Sequence, residues 1–373
     1  MKGLHGIIFS YEKHDELREL TEARMPASVP FAGRYRLVDF ILSCMVNAGI
    51  TDVGVVLQGN YQSLLDHLGS GKDWDLSRSH GGLRLLPAFA DTQKTAHLSR
   101  EYRGKMEALA GVRSYLQGIR QDHVVLADSD LVINIPLQDV YQAHLASGAD
   151  ITAVCTSDIT GPGDVTYFKL DGTGRITEVL YPLNDPKGCH RSLEVYILSK
   201  ELLLSLVDEC MSHDEASLRS AVLQAKVSSL HLQSYVWDGY AAQVRTLKGY
   251  YMRSMELLDP AIRREVFPAG RPIHTKERSE ASTYVDPAGT CCNCLVADGC
   301  TIEGTVENSI LFRGVSVARG AEVKDCILMQ DVVISQDAVV QHVIADKNVV
   351  IMESRTLMGH ENYPMTIAKN SKV

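Results

Sequence analysis

No stretch of this 373-residue chain is apolar for long enough to cross a bilayer as a helix, which takes about 20 residues. The opening MKGLHGIIF holds too short an apolar run for a signal peptide and reads as a first buried strand, so a cytoplasmic protein is expected. Positive charge is in deficit, with 37 Lys and Arg against 46 Asp and Glu and a net charge of −9. That balance argues against nucleic acid or a membrane surface as partner, because both need a basic footprint, although it leaves room for a local anion site. Glycine is missing between Gly6 and Gly33. A second cysteine pair is missing too. The nine cysteines cluster only at Cys291, Cys292 and Cys294, whereas a structural zinc site takes four ligands as two close pairs. No metal is expected, and the thiols read as reduced.

What is present is an ordinary apolar fraction of 45% and a charged fraction of 22%, in a chain long enough for two domains. Residues 6–10 read as a strand, 38–48 (VDFILSCMVNA) as a helix ending at Gly49, 52–57 as a strand, and 61–67 as the start of a helix. Residues 123–126 read as a buried strand running into 127–130, 137–146 as a helix and 150–155 as a strand. Such alternation predicts an α/β, doubly wound, mostly parallel sheet over residues 1–259. Ligands of such sheets lie beyond the carboxyl ends of the strands, which directs attention to the segment after Ser10 and to Asp130. Residues 260–290 carry Pro260, Pro268, Pro272 and Pro287 and read as an extended linker.

The tail, 291–373, holds an internal repeat. GCTIEGTVENSILFRGV, SVARGAEVKDCILMQDV and VISQDAVVQHVIADKNV align without a gap over 299–315, 316–332 and 333–349. Val306, Val323 and Val340 share one column; Ile310, Ile327 and Ile344 share another; Cys300, Val317 and Ile334 a third; Gly304, Ala321 and Ala338 a small-residue column. Columns in register are the signature of a β-solenoid, with the three valines stacked on one inner face. No repeat buries its face alone, so the stack must dock on something, and its open end and strand edges favour association.

Residues 29–49 (VPFAGRYRLVDFILSCMVNAG), 57–71 (LQGNYQSLLDHLGSG) and 74–87 (WDLSRSHGGLRLLP) closely resemble the bacterial glucose-1-phosphate adenylyltransferases. Further matches follow in order: HLASGADIT at 144–152, GRITE at 174–178 and GYYMRSMELL at 249–258. The resemblance covers essentially the whole chain. It implies a nucleotidyltransferase domain followed by a left-handed parallel β-helix. It also implies a reaction in which glucose 1-phosphate attacks the α-phosphate of ATP and diphosphate leaves, with magnesium as the family's metal. Such chemistry asks the protein to align the reactants and neutralise phosphate charge.

The residues that would do this are largely replaced. The family's glycine-rich nucleotide loop corresponds to FSYEKHDELREL at 9–20, where Glu12, Asp15, Glu16 and Glu19 put acid toward phosphate and Met25 replaces a lysine. Asp130 matches one metal-binding aspartate, but Gln243 stands at the other, and an amide is a poor ligand for a hard cation. A sugar-phosphate lysine is missing from Leu180-Tyr181-Pro182. Glu194 occupies a glycine position beside the retained Ser192 and Tyr196, removing a cation and adding an anion. Tyr102, Arg103 and Gly104 keep the start of a motif that continues with Lys105 and Met106 in place of threonine and alanine. Asp130 is thus a catalytic remnant, and Gln58, Trp74, Asp75, Tyr102, Arg103, Gly104 and Ser192 are substrate-binding remnants. Arg34 and Arg36 are candidate effector ligands, since two guanidiniums can grip phosphate.

The resemblance is strongest to the family's non-catalytic companion subunits. It implies a regulatory partner of a catalytic glucose-1-phosphate adenylyltransferase subunit in glycogen synthesis, in a homo- or hetero-oligomer, a tetramer, with a sugar-phosphate effector and no cofactor of its own. The alternative is an active sugar-phosphate nucleotidyltransferase with a rebuilt ATP loop. A third reading, a β-helix acyltransferase, needs a catalytic histidine on the solenoid. Only His342 lies within the aligned repeats, where a surface position accounts for it.

Overall fold

The computed structural model describes residues 3–10, 15–87, 102–160, 165–183 and 185–373. Glu12 and the side chain of Asp15, two of the acidic residues expected to face phosphate, lie outside the described residues. The chain packs as two compact units, each discontinuous in sequence. The first takes the described residues of Met1–Glu12, Phe40–Gln243 and Gly270–His274; the second takes those of Lys13–Asp39, Val244–Ala269 and Thr275–Val373. The expected boundary at Asp259 therefore falls inside the second unit.

The first unit is built on strands β1 (Leu4–Phe9), β2 (Asp52–Leu57), β3 (Gly82–Pro87) and β4 (His123–Asp128), with β5 (Leu131–Ile133) after a turn. Strands β6 (Ile151–Thr156), β7 (Tyr167–Leu170), β8 (Ile176–Leu180), β9 (His190–Ser199), β10 (Leu232–Val236) and β11 (Ala241–Gln243) follow. The main sheet runs β8-β7-β9-β4-β1-β2-β3, with β6 beside β9 and β10 beside β6. Pairing is parallel through β4-β1-β2-β3 and for β6–β10, and antiparallel wherever β9 or β7 takes part. Strands β1, β2 and β4 are buried along both faces, as the strands of a parallel sheet are. Helix α1 (Leu37–Asn47) lies so close to β1 that a β-carbon on Gly6 would stand 2.6 Å from Met45 Sδ. The segment Gly270–His274 is tied into this unit by polar contacts. Asn134 donates to Arg271 O at 2.8 Å, Asn47 to Pro272 O at 2.9 Å, and His274 N to Ser43 Oγ at 2.8 Å.

In the second unit the repeats form a left-handed parallel β-helix of three five-stranded sheets. Val306, Val323 and Val340 pair in register and are at most 1% exposed, as the valine column predicts. Ile310, Ile327 and Ile344 also align, while the adjoining Leu311, Leu328 and Ala345 fill the core. The third column is corrected by two residues: Ile302, not Cys300, stacks on Val317 and Ile334. The corner after Ile302 is two residues shorter than the next one, a deletion that an ungapped alignment slides past. Cys300 is buried nonetheless and packs in the same core. The coil corners fall on recurring left-handed positions, among them Asn308, Asp325 and His342 with φ of 45°, 53° and 51°. Asn and Asp tolerate that conformation, so these corners are written in the sequence.

The linker is not extended throughout. Pro260–Val266 is a helix, with Asp259 accepting from Ala261 N at 2.7 Å as N-cap and Pro260 in the first turn, where no N–H is needed.

Candidate functional site

The carboxyl ends of β1 and β4 in the first unit are where a sheet of this kind binds its ligands. Asp128, Ser129 and Asp130 are each buried to 4% exposure or less, and Ser129 N donates to Phe9 O at 3.1 Å. Glycine at position 104 lets the chain pass Ala216 O, which an added β-carbon would meet at 2.4 Å. Helix α2 (Lys105–Gly111) starts there and places Lys105 inside. Its ammonium lies 2.9 Å from Asp128 and 2.7 Å from Glu194. All three side chains are largely buried, at 8%, 4% and 12% exposure. Glu194 sits on β9 at a register shift between Ser192 and Val195, with φ of 54°. That left-handed backbone, which glycine adopts freely, costs a glutamate roughly 1–3 kcal/mol. Ser192 Oγ accepts from Glu194 N and meets Tyr196 Oη, both at 3.1 Å, and Thr166 donates to Glu194 at 3.3 Å. The expected loss of a cation beside Glu194 is therefore corrected: Lys105, read from sequence only as bulk, supplies one.

The second replacement is paired as well. The Arg191 guanidinium is 1% exposed and donates to Gln243 Oε1 at 2.8 Å, to Asp158 O at 2.9 Å and to Ala241 O at 3.4 Å. Strand β11 brings Gln243 opposite Leu131, next to Asp130. Magnesium does not fit these residues. The side chain in place of its second carboxylate is a neutral amide already held by a buried guanidinium, and a fixed cation beside the site repels another. Among the described residues no three His, Cys, Asp or Glu gather as a metal site. Cys291 and Cys292 are exposed, and Cys294 donates to Cys292 O at 3.1 Å, with burial pushing its thiol up to about 12.

The other remnant residues face their own neighbours. Gln58 accepts from Tyr102 N at 2.9 Å. Trp74 is 1% exposed and stands edge-on to His67. Asp75 is exposed and paired with Arg78. Arg103 reaches Asp214 at 2.6 Å and Glu107 at 3.2 Å. His342, on the solenoid, meets Tyr251 Oη at 2.9 Å through Nδ1.

In the second unit Arg34 and Arg36, the two candidate effector ligands, act on different buried cations, Arg313 and Lys347. Arg36 lies near Arg24, Lys347 and Lys369. Arg24 is buried in a two-point ion pair with Asp346, at 2.9 and 2.7 Å. Burial, then Arg36 and Arg24, pull the Lys347 ammonium down from 10.5 to about 7, with Lys369 adding and Asp346 opposing. Arg24, Lys347 and Lys369 were missed in the sequence; the basic residue after Asp346 in the third repeat was the available signal. Since the folded chain binds fewer protons than the unfolded one between about pH 7 and 10.5, Lys347 lowers stability as pH falls through that window and adds no slope below it. An anion at the cluster should raise Lys347 and draw in a proton. Affinity for sulfate, which does not titrate in this range, should then fall as pH rises above 7, by up to about tenfold per unit. Calorimetry in two buffers of different protonation enthalpy should show proton uptake, and Lys347→Met should abolish it.

Comparison with known proteins bears on this geometry. The family described as "Nucleotidyl transferase" matches residues 6–235, and "GlmU-like, C-terminal hexapeptide" matches 281–363. Glycogen biosynthesis protein GlgD of Bacillus subtilis (strain 168) is 37% identical over 98% of this chain and 95% of its own length. GlgD of Geobacillus stearothermophilus is 34% identical over 85% and 82%. The glucose-1-phosphate adenylyltransferase of Geobacillus stearothermophilus is 31% identical over 83% and 80%. Among the described residues no helix is long and apolar enough to cross a membrane.

Proposed function

Because this chain belongs to the nucleotidyl transferase family that includes the glucose-1-phosphate adenylyltransferases and the GlgD proteins, we propose that it serves glycogen biosynthesis as a GlgD-type regulatory subunit in the cytoplasm. The observation that carries this reading is the pairing of replaced residues with one another. Lys105 and Glu194, each foreign to the catalytic pattern, close on each other at 2.7 Å and are largely buried. A pocket under selection for phosphate binding would keep such charges available for ligand; here they satisfy the protein. The reaction, with its magnesium, falls to a catalytic partner subunit in a mixed tetramer. The basic cluster at Arg24, Arg36, Lys347 and Lys369 is the place for an anionic effector such as a sugar phosphate.

The test is to assay the purified chain alone, a catalytic relative alone, and the two mixed, for ADP-glucose formed from ATP and glucose 1-phosphate. The chain alone should form none, and the mixture should sediment as a larger species with altered turnover or effector response. Turnover by the chain alone would establish the rebuilt-enzyme alternative. A monomer without effect on the relative would refute the subunit reading.

A further inference from the structure

The strand Thr290–Cys292 belongs to the first coil of the solenoid and is the edge strand of its sheet, lying on Thr305–Glu307. Cys291 stands over Val306, at the head of the column that runs on through Val323 and Val340. Leu295 stands over Ile310 and Ile327, so Cys294, one residue earlier, heads a column of Ser309 and Cys326. Val306, Ser309, Val323, Cys326 and Val340 are all at most 1% exposed, so both columns point into the coil. Cys291 and Cys294 therefore hold two adjoining inward positions on either side of one corner.

That corner is fixed. Asn293 has φ of 51°, close to the 45° of Asn308 beneath it, and donates through Nδ2 to Asn308 Oδ1 at 2.8 Å. Cys294 Sγ donates to Val306 O at 3.6 Å, just as the buried Cys326 Sγ donates to Val340 O at 3.4 Å. What sets the first coil apart is access. In the coils below, Val306 with Ser309, Val323 with Cys326 and Val340 with Val343 flank the same corner, and all six are buried. In the edge coil two thiols flank it, with Cys291 exposed and Cys294 half-buried. Cys291 is also a side-chain hydrogen-bonding neighbour of Cys294. Converging thiols three residues apart suit the short span of a disulfide. Cys292 pairs with Glu307 on the outer face, since side chains alternate along a strand, and is turned away from both.

We propose that Cys291 and Cys294 form a reversible dithiol–disulfide couple, a modification site for low-molecular-weight disulfides of the glutathione class. The exposed Cys291 thiolate attacks one sulfur of the small disulfide, whose S–S bond breaks and releases one thiolate. Cys294 gives its proton to solvent and attacks Cys291 in the mixed disulfide, releasing the second. Two protein thiols are oxidised, and one small disulfide is reduced to two thiols. Burial holds the Cys294 thiol protonated, which leaves the first attack to Cys291. The couple requires neither a partner subunit nor the regulatory reading.

The experiment equilibrates the native full chain with glutathione disulfide, traps free thiols with an alkylating reagent, and reads intact mass and labelled positions. Reduced wild type should label at Cys291 and Cys292. The oxidised chain should be lighter by two hydrogens before trapping, keep the Cys292 label, lose the Cys291 label and remain a single chain on a non-reducing gel. Dithiothreitol should restore the first pattern. Cys294→Ser should stop at a glutathione adduct on Cys291, Cys291→Ser should form no bridge, and Cys292→Ser should bridge as wild type does. Thermal unfolding of the reduced variants at the wild-type temperature would confirm that each is folded. A wild type that forms no internal bridge, a bridge that survives in Cys291→Ser, or one lost in Cys292→Ser would overturn the assignment.

Discussion

Lys105→Ala is expected to lower the unfolding free energy by about 3–5 kcal/mol, the range for breaking a buried ion pair from one side. The ammonium stands between Asp128 and Glu194, and removing it leaves two carboxylates largely out of water without their cation. Glu194→Gly alone should cost far less. It frees a residue held at φ of 54° and leaves Lys105 with Asp128. The informative variant is Lys105→Thr/Glu194→Gly, which restores the residue types of the catalytic pattern. If the two replacements arose as a pair, the double variant should be more stable than the sum of Lys105→Thr alone and Glu194→Gly alone by about 1–3 kcal/mol. Urea unfolding with an unchanged m-value would measure this. Strictly additive losses would mean that the 2.7 Å contact contributes nothing, and the argument from paired replacement would fail.

What could be read in the sequence divides along a physical line. Periodic features were legible. The valine column at 306, 323 and 340, the strand at 52–57 and the helix at 137–146 each rest on apolar residues recurring at the spacing of the element they form. Features set by one corner or one cap were misread. The shortened corner after Ile302 displaced Cys300 from its column, and the Asp259 cap turned the start of an expected linker into a helix. Long-range ion pairing was illegible. Lys105 and Glu194 are 89 residues apart, and Arg24 and Asp346 are 322 apart. Each looks from sequence like a lone charge, and only the fold says which charges meet. For that reason the resemblance implies that catalytic residues are replaced but does not say what the replacements do. It is also why Arg34 and Arg36, two positions apart, were taken as one site. The backbone between them passes from a turn into a short strand, and the two guanidiniums act on different buried cations, Arg34 on Arg313 and Arg36 on Lys347.

Magnesium–ATP is expected to bind the isolated chain more weakly than about 1 mM, a binding free energy of less than about 4 kcal/mol. Restoring a carboxylate with Gln243→Asp should not rescue it. Arg191 already donates to that side chain at 2.8 Å, so the new carboxylate would close an internal ion pair in a place where both residues are at most 3% exposed. The guanidinium must go as well, and it is costly to remove. Arg191→Ala strips donors from Gln243 Oε1, Asp158 O and Ala241 O and should destabilise the chain by about 3–5 kcal/mol. Titration calorimetry with magnesium–ATP on wild type, Gln243→Asp and Gln243→Asp/Arg191→Ala should therefore show no binding in the first two. A gain in the third would come only with a marked loss of stability in unfolding experiments. Micromolar affinity in wild type that disappears in Asp130→Asn would show that Asp130 still holds a metal without its second carboxylate. Arg191 would then be a ligand-facing cation rather than the group that closed the site.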